Sequence, residues 1–146
     1  MTSEPGVGFK RPESVLVLIY TSNNDVLLME RTDFPGFWQS VTGSLEPDEM
    51  PIDTAVRELN EETGLVAQPV DLQHRVSFDI KPQWRKRYAP GVTRNTEHWF
   101  SVCLPQPVDV VLNDNEHTAF RWLPVAQAMT LCSSASNRAA MEHCVR

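Results

Sequence analysis

The run SVLVLIY at residues 14–20 is continuous, apolar and rich in β-formers, and it predicts a buried strand. Asn23, Asn24 and Asp25 mark a turn, and residues 26–31 read as the partner strand. Residues 33–37, with Pro35 and Gly36, read as a loop leading to a short strand over 38–42. The period then changes. Ile52, Ala55, Val56 and Leu59 recur at helical spacing and make one apolar face. Pro51 suits the first turn of that helix, Asp53 suits its positive end, and Gly64 suits the left-handed position just past its end. Further on, residues 72–80, 96–104 and 118–123 read as strands. Residues 81–94, rich in Pro, Gly and basic side chains, read as a loop of functional length. Residues 124–129 can open a helix, and Ser136 can cap a last one running through Met141. No repeat and no internal linker is visible. Residues 1–9 read as a loose tail and 10–146 as one domain. Strands mixed with two or three helices predict an α/β (α+β) protein, a sheet sandwiched by helices.

The helix carries a second pattern. Glu58, Glu61 and Glu62 recur at three- and four-residue spacing and share a face. Like charges at that spacing destabilise a bare helix by a few tenths of a kcal/mol, roughly. A divalent cation offsets that, because hard cations take carboxylate oxygens. A solvated acidic face is the other reading. Arg57 lies about a quarter-turn from Glu58 and suits an orienting role, hydrogen-bonded to a ligand carboxylate or to Glu49. As a surface salt bridge it would contribute little.

Composition narrows the partners. The chain has 146 residues, is 41% hydrophobic and carries a formal net charge of -6. That is enough for one domain with a real core, and no broad basic stripe invites nucleic acid. A small anionic substrate remains compatible, since a bound metal inverts local charge. Cys103, Cys132 and Cys144 show no metal-binding spacing and fit structural thiols in a reducing compartment. The N-terminus has no apolar signal core and no segment approaches transmembrane length, so the expectation is a cytoplasmic protein with no membrane partner. Oligomeric state is not readable.

Residues 43–65 read GSLEPDEMPIDTAVRELNEETGL. Gly43, Glu49, Arg57-Glu58-Leu59, Glu61-Glu62 and Gly64-Leu65 stand at the spacing that resembles the signature of the Nudix hydrolases, which cleave a nucleoside diphosphate linked to another group. A chance match at average residue usage would occur well under about once in a million. The resemblance implies a Nudix-like α/β/α sandwich, with a mixed β-sheet and a catalytic helix after a glycine loop. Outside that box, KRPESVLVLIY, FWQSVTGSLE, RYAPGVTRNTEHWF and the C-terminal SNR are similar to one branch of the family, which hydrolyses dihydroneopterin triphosphate to the monophosphate and pyrophosphate in folate synthesis.

The roles this implies are specific. Glu58, Glu62 and Glu116 would hold Mg2+, or Mn2+ in its place. Glu61, Glu62, Glu116 and Arg57 would serve catalysis, the base among the glutamates being undetermined. Lys10, Arg31 and Thr42 would meet the triphosphate. Phe78, Asp79, Ile80, Lys81 and Ser134 would meet the ring, although Lys81 stands where the branch can carry an apolar residue. Taken alone, Glu116 reads as a loop carboxylate, Thr42 as a strand threonine and Ser134 as a helix cap. Trp38, Trp84, Trp99 and Trp122 read as core or pocket wall, and Arg85, Lys86 and Arg87 either screen the triphosphate or form a solvated charge run, the second being favoured. Two other functions stay open. One is a house-cleaning pyrophosphatase for dATP or oxidised dGTP. The other is a catalytically inert nucleotide-sensing or protein-binding module, which the complete set of box glutamates argues against.

Overall fold

A computed structural model describes residues 8–145, so most of the expected N-terminal tail lies outside the described residues. The SVLVLIY run becomes the centre of β1 (Glu13–Thr21), buried on both faces as a continuous apolar run requires. It pairs in parallel with β6 (Arg94–Leu104) along its whole length and antiparallel with β2 (Asp25–Arg31) at Tyr20–Val26. β5 (Val70–Asp79) borders β6, and β7 (His117–Pro124) borders β2, so the sheet is mixed.

The short strand expected over 38–42 is two strands, β3 (Trp38–Gln39) and β4 (Val41–Ser44). Past Tyr20–Val26, β1 and β2 diverge and this segment fills the wedge. β3 pairs with β2, and β4 pairs with β1. Ser40 is the switch between them. Its amide donates to Asn137 Oδ1 at 2.7 Å, and Asn137 Nδ2 donates back to Ser40 Oγ at 2.9 Å, all buried. Tertiary hydrogen bonds, not local propensity, break the strand there.

β4 leads through the glycine loop into α1 (Pro51–Thr63). Pro51 opens the helix, and Asp53 accepts a hydrogen bond from the Met50 amide at 3.1 Å. Gly64 ends it at φ 76°, its amide donating to Asn60 O at 2.8 Å. Ala55 and Leu59 pack with Val15, Val17, Ile19 and Phe100 on one face of the sheet. The buried arc of α1 is shifted toward Glu58 and Glu62, which leaves Val56 at its rim and exposed. The opposite sheet face packs Leu18 and Leu28 on α2 (Val125–Leu131), and Leu16 and Trp99 on α3 (Ala135–Cys144). The result is the expected sandwich.

Ser134, not Ser136, caps α3, because its extended backbone lets Oγ accept from the Asn137 amide at 3.3 Å. The 81–94 loop holds a 3-10 turn over Pro82–Arg87. Trp99 lies in the core, and Trp38 and Trp122 pack at its margins. The three cysteines are free thiols. Among the described residues, no helix is long and apolar enough to cross a membrane.

Candidate active site

α1 presents Glu58 and Glu62 inward, 8% and 1% exposed, while Glu61 stays exposed on the same side. Glu116 arrives from the turn before β7. One carboxylate oxygen from each of Glu58, Glu62 and Glu116 lies within 4.8 Å of the others. Glu58 Oε1 and both oxygens of Glu62 are buried without a hydrogen-bond partner. Buried carboxylates left this way are costly. Burial therefore raises Glu58 to about 7, Arg57 pulling it back and Glu116 pushing it further up. Burial, and then the charges of Glu58 and Glu116, drive Glu62 well above its usual range. His117 gives no relief, although Nδ1 is 3.7 Å from Glu62 Oε1. Burial and Arg31 lower its pKa to about 4, so it is neutral near pH 7. Oxygen-only donors with unpaired buried atoms fit a hard divalent cation.

Gly43 is required by this cluster. A Cβ there would lie 1.9 Å from Glu58 Oε2, so only glycine lets β4 approach the helix this closely. Arg57 fixes the loop between them. Its Nε and Nη2 donate to the two oxygens of Glu49 at 2.8 and 2.7 Å, and Nη2 also donates to Ser44 O at 3.3 Å. Glu49 further accepts from Thr54 Oγ1 and from the Glu46 amide. The Arg57 bond holds the Glu49 carboxyl down at about 2. Nη1 of the same arginine reaches Glu58 at 3.3 Å and Glu61 at 3.2 Å. Arg57 thus does both things the sequence left open, bonding Glu49 and facing the carboxylates.

Opposite stands a basic wall. Arg31 grips Asp33 with two 2.7 Å bonds, and Arg87 reaches the same carboxylate at 2.7 Å. Arg31 also lies over the Trp84 ring, 4.7 Å from its centroid. Lys10 is exposed as a residue, yet desolvation of its amine, with Arg87 and Arg31 nearby, lowers its pKa. Arg87 is therefore a cleft residue rather than part of a solvated charge run. Asp33 was likewise not anticipated, although it stands two residues from Arg31.

Every residue singled out in sequence as catalytic, metal-holding or substrate-facing lines one cleft of about 750 Å3. Thr42 sits at the β4 start, its Oγ1 accepting from Gln39 Nε2 at 3.3 Å. Phe78 and the buried Ile80 form a wall at the end of β5. Asp79 is held outward by Arg94 at 2.8 Å, and the exposed Lys81 places Nζ 5.9 Å from the Phe37 ring centroid. Ser134 closes the far side at the start of α3. Sequence reasoning missed Phe37, Trp84 as a member of an aromatic cluster with Phe34, and the buried pair Asn95 and Glu97. The alternation of β6 was the available signal, because it aims polar residues at positions a core strand would fill with apolar ones.

A glycine loop feeding a helix of inward carboxylates, set in a mixed sheet between helical layers, defines a class. The model of the NUDIX domain matches residues 10–144, and the chain belongs to that family. It is 46% identical over 143 residues to the dihydroneopterin triphosphate diphosphatase of Escherichia coli (strain K12), covering 94% of each chain. The enzyme of that name from Haemophilus influenzae is 40% identical over 140 residues, 92% of this chain and 87% of that one. The solved structure of the E. coli dihydroneopterin triphosphate pyrophosphohydrolase superposes with a TM-score of 0.89 at 45% identity, covering 94% and 97% of the two chains.

Proposed function

We propose that this chain is a magnesium-dependent pyrophosphohydrolase, with manganese as a substitute ion, that converts dihydroneopterin triphosphate and water to the monophosphate and pyrophosphate. The observation that carries this reading is the pairing, across one cleft, of an unneutralised carboxylate cluster with a basic wall. Full-length similarity to enzymes named for that substrate supports it. Residues 10–146 act as one catalytic domain.

Glu58, Glu62 and Glu116 are the residues to hold the cation. When bound, it supplies charge neutralisation of phosphate oxygens and of the carboxylates themselves. Lys10, Arg31 and Arg87 draw the tetra-anionic tail to the opposite wall, the arginines with planar donor pairs suited to phosphate. Thr42 offers a hydroxyl beside the tail. A water oxygen attacks one of the two phosphorus atoms flanking the scissile bridge, the bond from that phosphorus to the bridging oxygen breaks, and the electron pair leaves on that oxygen with the other product. The water's proton passes to a carboxylate among Glu61, Glu62 and Glu116. Arg57 works through Glu49, holding the glycine loop and helix in register so that the carboxylates keep their geometry. Phe78 and Ile80 give the ring an apolar wall, and Ser134 and Lys81 border it.

The test is steady-state hydrolysis of dihydroneopterin triphosphate beside dATP and oxidised dGTP in magnesium, with pyrophosphate as readout. The expected result is a clear lead in kcat/KM for the pterin. A flat profile, or one led by a deoxynucleotide, would overturn the substrate and leave the family chemistry in place.

A further inference from the structure

The sheet face under α3 changes character along β6. Alternation places Asn95, Glu97 and Trp99 on one face, with Ser14 of β1 next to Glu97 in the parallel ladder. Trp99 packs with Leu16 and with Ala140 of α3, an ordinary apolar contact. Toward the cleft the same face turns polar while staying buried. Asn95 is 5% exposed and Glu97 4%, and both line the cleft. Asn95 Nδ2 donates to Ser14 Oγ at 2.7 Å, but its Oδ1 is buried with no partner. Glu97 accepts from Trp99 Nε1 at 3.1 Å and also has the Ser136 hydroxyl within reach, so that Asn95 Oδ1 is the unpartnered acceptor of the two residues.

Buried polar atoms are normally hydrogen-bonded, and an orphan needs a reason. Here the groups facing the cleft are a carboxylate and an amide oxygen, both acceptors. They stand on the opposite sheet face from α1, with Phe78 directly across from Asn95 in the β5–β6 ladder. A flat heterocycle slid against Phe78 would meet them edge-on. The edge that matches carries neighbouring N–H donors: a ring N–H beside an exocyclic amine, whose two parallel hydrogens suit two carboxylate oxygens. Adenine offers a ring acceptor at the corresponding place and fits poorly.

We propose that Glu97 and Asn95 form an acceptor pair that reads the 2-amino-lactam edge of the substrate ring, and so determine which triphosphate is hydrolysed. This rests on the reading of the chain as a hydrolase of dihydroneopterin triphosphate, whose pterin carries that edge; guanine carries it as well. A site built to bond such donors discriminates strongly, because an ill-matched base leaves its buried acceptors unpaired.

The experiment compares kcat/KM for dihydroneopterin triphosphate and dATP in wild type, Glu97→Gln and Asn95→Leu. The quantity read is the ratio of the two substrates within one preparation, which does not depend on how much of a variant is folded. A single charged hydrogen bond leads to an expected fall of at least about tenfold in the pterin-to-dATP ratio for Glu97→Gln. The ratio of dGTP to dATP falls in the same direction. Asn95→Leu removes Oδ1 at similar volume, gives a fall of the same sign, and carries the test if Glu97→Gln gives no active protein. A wild type that favours the pterin while both variants keep its ratio overturns the acceptor pair and leaves the hydrolase reading standing. A wild type without preference for the pterin over dATP overturns the dihydroneopterin triphosphate reading on which the pair rests, and leaves the family chemistry in place.

Discussion

Glu62 is 1% exposed and has no hydrogen-bond partner for either oxygen, an arrangement that only a cation or a proton makes tolerable. Glu62→Gln removes a charge and one acceptor at constant shape. Turnover with saturating magnesium is expected to fall by about a hundredfold or more, with the circular dichroism spectrum retained. Glu97 gives a different prediction. Burial raises its pKa from 4.5 to about 6. Between those values the folded state holds a proton that the unfolded chain has released, so stability is greatest below 4.5 and is lost as pH rises to 6. Denaturation of wild type and Glu97→Gln across that range should show the difference moving in the variant's favour, then levelling above 6. At this scale the sequence was unevenly readable. Glu58, Glu61 and Glu62 could be grouped because a helix converts spacing into a shared face. Glu116, Lys10 and Arg31 came only through family resemblance, since they meet the helix from distant parts of the chain. Asp33 had no local pattern to lift it above an ordinary polar residue, Arg87 sat in a basic run for which solvation was the favoured reading, and the alternation that marks Asn95 and Glu97 is short.

Among the elements, α1 was the most legible, because its start and stop are written in local chemistry. Gly64 sits at φ 76°, and a Cβ there would come within 3.2 Å of Val111 Cβ. Gly64→Ala is therefore expected to cost about 1–2 kcal/mol, read as a lower denaturant midpoint at unchanged slope. The 38–44 segment was the least legible. Residues 38–42 read as one short strand, and what divides it is Asn137, a residue far away in sequence that bonds both the amide and the hydroxyl of Ser40. The cap of α3 was placed two residues late for a local reason: Ser134 and Ser136 are both good caps by type, and only the backbone conformation separates them.

For the whole molecule, sandwich architecture followed from the mixture of strands and helices, but strand order did not. The parallel ladder of β1 with β6 joins segments separated by most of the chain, and nothing local encodes it. The assembled charge distribution has a consequence for stability. Carboxylates massed in the fold and dispersed in the unfolded chain make a cation bind the native state preferentially. Magnesium at about a hundred times its dissociation constant would add about 2.7 kcal/mol. A thermal melt should show Tm rising with magnesium in wild type and rising much less in Glu62→Gln.

The Ser40–Asn137 bonds also make the protein a caliper. One jaw is the strand that continues into Thr42 and Gly43 beside the carboxylates; the other is the helix that begins at Ser134 beside the ring wall. The rivet between them fixes how far the carboxylates stand from the ring wall. With Asn137→Ala the jaws lose their rivet, and kcat/KM for the triphosphate should fall together with the denaturant midpoint, measured on the same preparation.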